Sequence, residues 1–251
     1  MNWATRTKNA AWGLFAWLSF GLSVLFSLLV VLIVPAAERR QKLVTWASRM
    51  VFVLPGIDVQ VRGMDNLPTD NCIIVANHAS YLDGPLLKGY LPWRFNFVIK
   101  GEMRDFAPAH FLLRRSGSKF VERTDIKGST RDARQIVKAA LDGESLGFFP
   151  EGTFREEPGV SRFRPGAFVA AIKGEMPVVP ISIGGSRHML PAGRFMPRNG
   201  PLTIDILPAI APGDPGFETS RGLAEAARQR ILAVLGEPDL LDNEDESATP
   251  G

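Results

Sequence analysis

Cysteine occurs once in 251 residues, histidine three times and tyrosine twice. A lone cysteine, Cys72, supports neither an intrachain disulfide nor a cysteine-based zinc site, and its place in the apolar run CIIVA marks it as core. The histidines, His78, His110 and His188, stand singly, which leaves little from which to build a histidine-rich metal centre. Internal repeats are absent, and no interior Gly- or Ser-rich stretch divides the chain into modules. Charge is missing altogether from positions 10–37, AAWGLFAWLSFGLSVLFSLLVVLIVPAA, a run of 28 residues.

That uncharged run is the strongest compositional signal. At about 1.5 Å per helical residue it extends roughly 42 Å, more than a hydrocarbon core of about 30 Å. Trp12 and Trp17 lie near one end, where interface-seeking aromatics are placed. Arg6 and Lys8 precede the run and Arg39, Arg40, Lys42 and Arg49 follow, a balance that favours a body on the cytoplasmic side of the inner membrane. A cleaved secretory signal is a rival, since Val34 and Ala36 imitate a cleavage site, but the apolar stretch is too long for one. VTWASRMVFVLPG restores apolar character after the basic gap, so a half-inserted helix pair over residues 10–54 is an alternative to one spanning helix. The expected divisions are 1–54 membrane-associated, 55–236 an α/β domain, and 237–251 a disordered acidic tail.

Hydrophobic residues make up 45% of the chain, enough for a sizeable core. The formal net charge is +3, yet residues 237–251 hold six acidic side chains and no basic one, so the remainder stands at +9. A basic body points to an anionic partner: nucleic acid, a phosphorylated small molecule or a membrane surface.

Beyond Pro55 the pattern shortens. Ile57, Val59 and Val61 alternate with polar residues as in a strand open to water on one face, while CIIVA reads as a strand buried on both. Further strands are expected at 95–99, 145–149, 178–183 and 202–207. Ala133, Ile136, Val137, Ala140 and Leu141 share a helical face, with Ser129 placed to cap it and Gly143 near its stop. A second helix is expected from about Glu218 to Leu235. The alternation predicts an α/β fold with a mixed, largely parallel sheet flanked by helices.

Catalytic groups of such sheets collect where strands end and helices begin. NHASYLDG, residues 77–84, does this after CIIVA. On one continuous helix His78 and Asp83 would diverge by about 140°; across a strand-to-helix turn they can meet. Asp83 would then fix one imidazole nitrogen and leave the other free to accept a proton. Ser80 and Asp83 equally spell a capping box, S-x-x-D. FFPEGTFR, residues 148–155, repeats the design, with Glu151, Gly152 and Thr153 in a turn and Arg155 in reach of an anion. Between Arg94 and Arg134 ten basic residues face five acidic ones, favourable to phosphate.

The order of these blocks, NHASYLD, KGEM with GSKFVER, FPEGTF and VVPISI behind an apolar N-terminus, resembles the 1-acyl-sn-glycerol-3-phosphate acyltransferase family over roughly residues 60–210. The resemblance implies that His78 and Asp83 are base and orienting carboxylate. It further maps a phosphate-contacting basic residue onto Arg123 and a substrate-contacting E-G-T block onto Glu151, Gly152 and Thr153; Lys100 in the basic loop and Arg155 beside the departure at Phe154 are the further substrate-binding candidates. The implied acceptor is a membrane lysophospholipid and the donor an acyl-CoA or acyl carrier protein thioester, with no cofactor, metal or nucleic acid. Phe154 stands where the commonest family form has arginine, which bears on the headgroup. Other readings are a serine hydrolase using GGSRH (184–188), a metal phosphatase, and a membrane-anchored binding module without catalysis.

Overall fold

The computed structural model describes residues 3–121 and 126–241. Helices α1 (Trp3–Ile33) and α2 (Ala37–Val53) form a hairpin broken at Pro35, whose ring cannot continue a helix. Arg40 fastens the corner, donating to the carbonyls of Val34, Pro35 and Arg115. It is therefore spent inside the protein and drops out of the row of basic residues available to a membrane surface.

The α1 helix is inverted relative to a soluble amphipathic one. Ser19, Ser23 and Ser27, four residues apart, are buried, while Leu14, Leu18, Leu22, Leu25 and Leu29 face outward. Small residues let helices approach closely, and the apolar face is left without a protein partner. Thr7–Ile33 is long and apolar enough to cross a membrane. Its tryptophans also tie the helix to the body: Trp12 Nε1 donates to Pro55 O at 3.0 Å and Trp17 Nε1 to Phe195 O at 2.9 Å. Indole N–H groups at a protein contact need acceptors, and here the body supplies them.

The body is a seven-stranded sheet: β1 (Val59–Arg62), β2 (Ile73–Ala76), β3 (Asn96–Lys100), β4 (Lys119–Val121), β5 (Leu146–Phe148), β6 (Val178–Gly184) and β7 (Leu202–Ile206). Their order is β1-β7-β6-β2-β5-β3-β4, and only the β6–β7 pairing is antiparallel. Alternation in β2 explains its continuous apolar sequence. Ile73 and Val75 pack into one core with α5 (Ile126–Leu141), α6 (Gly166–Lys173) and α8 (Ser220–Leu235), whereas Ile74 and Ala76 pack into another with α2 and α3 (Asp83–Tyr90). Cys72 is fully buried in the second core, which pushes its thiol up to about 11.

Among the elements not marked by periodicity are the three-residue β4, α6, and α4 (Ala107–Arg115). Helix α5 begins at Ile126, so Ser129 lies within it and is not its cap. Helix α8 is capped by Thr219, whose hydroxyl accepts the Gly222 N–H at 3.0 Å, and stops at Gly236 with φ +70°. The expected acidic tail does not start free. Glu237 and Asp239 return to the body as ion-pair partners of Arg187 and Arg228.

Candidate active site

Strands β2, β5 and β3 are neighbours running in one direction, so the blocks that follow them share the C-terminal edge of the sheet. NHASYLD leaves β2, PEGT leaves β5 and GEM leaves β3. Asn77 carries the ladder one step beyond β2 with its side chain: Nδ2 donates to Ile183 O at 3.0 Å, and Oδ1 accepts the Ile183 N–H at 2.7 Å. This two-point clasp anchors the turn to β6 where backbone pairing ends.

Asp83 opens α3 and is completely buried. Its Oδ2 accepts the Ala79 N–H at 2.7 Å, the Ser80 N–H at 2.8 Å and His78 Nδ1–H at 2.9 Å. Backbone N–H groups can only donate, so Oδ2 serves as acceptor for all three; Nδ1 then carries the imidazole hydrogen and Nε2 keeps its lone pair. A carboxylate at a helix N-terminus also complements the helix dipole. The capping-box contact from Ser80 and the contact to the ring thus meet on one oxygen. Ser80 Oγ closes the turn, accepting from Leu82 N–H at 3.1 Å and donating to Leu190 O at 2.7 Å.

The His78 ring is 18% exposed, accessible where Asp83 is not. It stacks on Phe149 at 4.3 Å and meets the edge of Phe154 at 4.6 Å, with Tyr81 4.7 Å beyond Phe154. Phe154 therefore borders the imidazole. Beside Leu82 an apolar cleft opens between the body and the N-terminal hairpin, lined by Trp12, Trp17, Phe20, Val51, Phe52 and Leu190 among others.

Glu151, expected to touch substrate, is held by hydrogen bonds within the protein. Oε1 accepts the His78 N–H at 2.8 Å, and Oε2 accepts the Ser161 N–H at 3.0 Å and hydroxyl at 2.8 Å. Both oxygens accept from the protein's own donors, one on Oε1 and two on Oε2. Burial pushes its carboxyl above the ordinary range, with the Ser161 and His78 donors pulling the other way. Gly152 makes the tight turn at φ +85°. Thr153 and Arg155 are exposed on the same loop, and Lys100 ends β3, two strands from β2. Arg123 lies outside the described residues. Much of the basic stretch is already engaged: Arg94 and Arg115 hold carbonyls, Arg104 pairs with Asp132 and Lys119 with Glu144. Ser186, the serine of GGSRH, is fully buried at the start of α7 (Ser186–Met189), with its hydroxyl unpartnered, and is inaccessible as a hydrolase nucleophile.

Ser161 is the site residue that no sequence signal marked. It stands ten positions past Glu151 in an irregular loop, and only its hydrogen bonds reveal it.

A buried aspartate in contact with a partly exposed imidazole at the edge of an α/β sheet is a geometry able to activate a hydroxyl for transfer or hydrolysis. The chain belongs to the acyltransferase family, whose model matches residues 58–184. A 1-acyl-sn-glycerol-3-phosphate acyltransferase of Chlamydomonas reinhardtii is 30% identical over 246 residues, 93% of this chain and 71% of that one. A lyso-ornithine lipid O-acyltransferase of Pseudomonas aeruginosa is 32% identical over 154 residues, 61% of this chain and 57% of that one. The crystal structure of the 1-acyl-sn-glycerophosphate acyltransferase PlsC from Thermotoga maritima matches with a TM-score of 0.76 over 98% of this chain and 99% of that chain, at 24% identity, which establishes the fold. Two chloroplastic relatives are longer, and the chain spans only 43% and 41% of their length.

Proposed function

We propose that the chain transfers a fatty acyl group from an acyl thioester, acyl-CoA or acyl carrier protein, to the free hydroxyl of a lysophospholipid. The acceptor is 1-acyl-glycerol-3-phosphate and the product phosphatidic acid. The observation that carries this reading is the Asp83–His78 contact at 2.9 Å, with Nε2 left free. In the proposed step Nε2 removes the hydroxyl proton as the oxygen attacks the thioester carbon, and Asp83 stabilises the imidazolium. The tetrahedral intermediate collapses with cleavage of the C–S bond, and the imidazolium returns its proton to the departing thiolate. The new ester and a free thiol leave, with no acyl-enzyme.

The outward leucines of α1 support a place at the membrane, where the acceptor is met without leaving the bilayer. The body would face the cytoplasm. Lys100, Arg123 and Arg155 would supply charge to the headgroup, while Gly152 and Thr153 shape the loop below it.

One observation favours a different acceptor. Phe154 packs edge-on to His78 in place of a cation, and one relative is named for lyso-ornithine lipid. A headgroup without a phosphomonoester fits that wall better. Purified protein, a labelled acyl thioester and a panel of lysolipids, with products read by mass spectrometry, separate the two. Acylated 1-acyl-glycerol-3-phosphate supports the first reading and acylation confined to lysolipids without a phosphomonoester, lyso-ornithine lipid among them, the second. Absence of any lysolipid product in the presence of intact donor rejects both.

A further inference from the structure

Past Gly236 the chain folds back along the loop that follows Glu151. Val160 N–H donates to Pro238 O at 3.1 Å and Leu240 N–H to Val160 O at 3.3 Å, a short parallel bridge. Glu237 clamps the same loop: Oε2 accepts the Gly159 N–H at 2.8 Å, and the Arg187 guanidinium donates to Oε1 at 3.0 Å and to Oε2 at 2.9 Å. Arg187 Nη1 reaches onward to Arg155 O at 2.7 Å. From α8, the buried Arg228 ties Asp239 to the Val160 and Ser161 carbonyls, each at 3.2 Å.

The fit is close. Gly159 has φ +134°, and a Cβ there would lie 2.6 Å from Leu240 Cγ and 2.9 Å from Pro238 O. Only glycine lets the two segments lie against each other. The Glu237 and Arg187 contacts fall on Gly159 and Arg155, and Arg228 reaches the Ser161 carbonyl two residues beyond Gly159; Ser161 in turn holds Glu151 Oε2, while Oε1 holds the His78 N–H.

We infer that Glu237 and Arg187 are positioning residues for the reaction: they fix the loop at 155–161 and, through Ser161 and Glu151, the backbone of His78 at the reacting centre. The inference rests on the acyl-transfer reading and extends it to residues beyond the 58–184 stretch that defines the family. Its physical basis is preorganisation. An irregular loop holds a carboxylate in one place only if its own entropy has been removed, and the two charged side chains doing so are 13% and 21% exposed, shielded enough to resist salt. A displacement of about 1 Å at a general base lowers a rate by up to roughly a hundredfold.

The test uses the full chain in detergent, with Glu237→Ala, Glu237→Gln and Gly159→Ala each assayed at a temperature where circular dichroism shows it folded. Glu237→Ala should lower kcat roughly tenfold or more, leave KM for the acyl thioester unchanged, and speed amide exchange in peptides covering 151–161 and 77–83. Glu237→Gln still offers Gly159 an acceptor and should recover most of the loss. Gly159→Ala should reproduce it by displacing Leu240. An unchanged kcat in both alanine variants overturns the inference, as does a loss that only tracks the unfolded fraction with exchange spread evenly over the sheet. If the wild type acylates no lysolipid, the acyl-transfer reading fails by itself, and the exchange measurement still decides whether Glu237 orders the loop.

Discussion

The turn after β2 and the turn after β5 sit on adjacent strands and share a plan, a buried carboxylate gathering three hydrogen-bond donors. They spend it differently. Asp83 collects all three on Oδ2, one of them from an imidazole ring, and its Oδ1 has no partner. Glu151 divides its three between two oxygens, and none comes from a ring. The first arrangement controls a tautomer and the second a backbone position. Motif membership alone therefore does not say which carboxylate governs the chemistry; the donor set does.

The largest effect should come from His78. Its replacement by alanine removes the base and should cut product formation about a thousandfold, measured by mass spectrometry on protein of unchanged melting temperature. Survival of more than a tenth of the wild-type rate would erase the distinction between the turns. Asp83→Asn comes next, at about a hundredfold in kcat with KM little moved, because the ring loses its fixed tautomer. Glu151→Gln should cost about tenfold and, because an amide NH2 would face N–H or O–H donors, about 1–3 kcal/mol of stability in a denaturant titration. A Glu151 variant that instead raises the acceptor KM with kcat intact would return this residue to the substrate.

The smallest effect concerns Lys88, on the helix that Asp83 begins. Burial lowers its ammonium from 10.5 to about 8. Between those values this group holds more protons in the unfolded chain than in the folded one, so its contribution to stability should rise as pH climbs from about 8 toward 10.5. The buried Cys72 thiol, raised from 9.0 to about 11, acts in the opposite sense above pH 9, so melting scans from about pH 8 to 9 should show a gain of a few degrees in the wild type and a flatter profile in Lys88→Met. A fall with rising pH would contradict the assignment.

What was legible in the sequence follows from how local each signal is. CIIVA announced a strand buried on both faces because each of its side chains enters one core or the other. The His78–Asp83 pairing was legible because five residues across a strand-to-helix turn leave the side chains few other places to go. The N-terminal run was legible as one long apolar helix, but not the role of its tryptophans, whose acceptors at Pro55 and Phe195 lie 43 and 178 residues away. The internal partners of Glu151 were hidden for the same reason: Ser161 stands in a loop without periodicity, and the contacts holding that loop come from residues 187, 228, 237 and 239. Short elements such as β4 carry too few residues to show a period at all.

The central claim is that Asp83 holds the hydrogen of His78 on Nδ1 and leaves Nε2 as the base. With only three histidines in the chain, 15N-histidine labelling in detergent micelles, with His78→Ala for assignment, reads this directly. The neutral imidazole of His78 should give the signal of the Nδ1–H tautomer, converting toward a mixture in Asp83→Asn. A His78 signal from the Nε2–H tautomer, unaffected by Asp83→Asn, would contradict it.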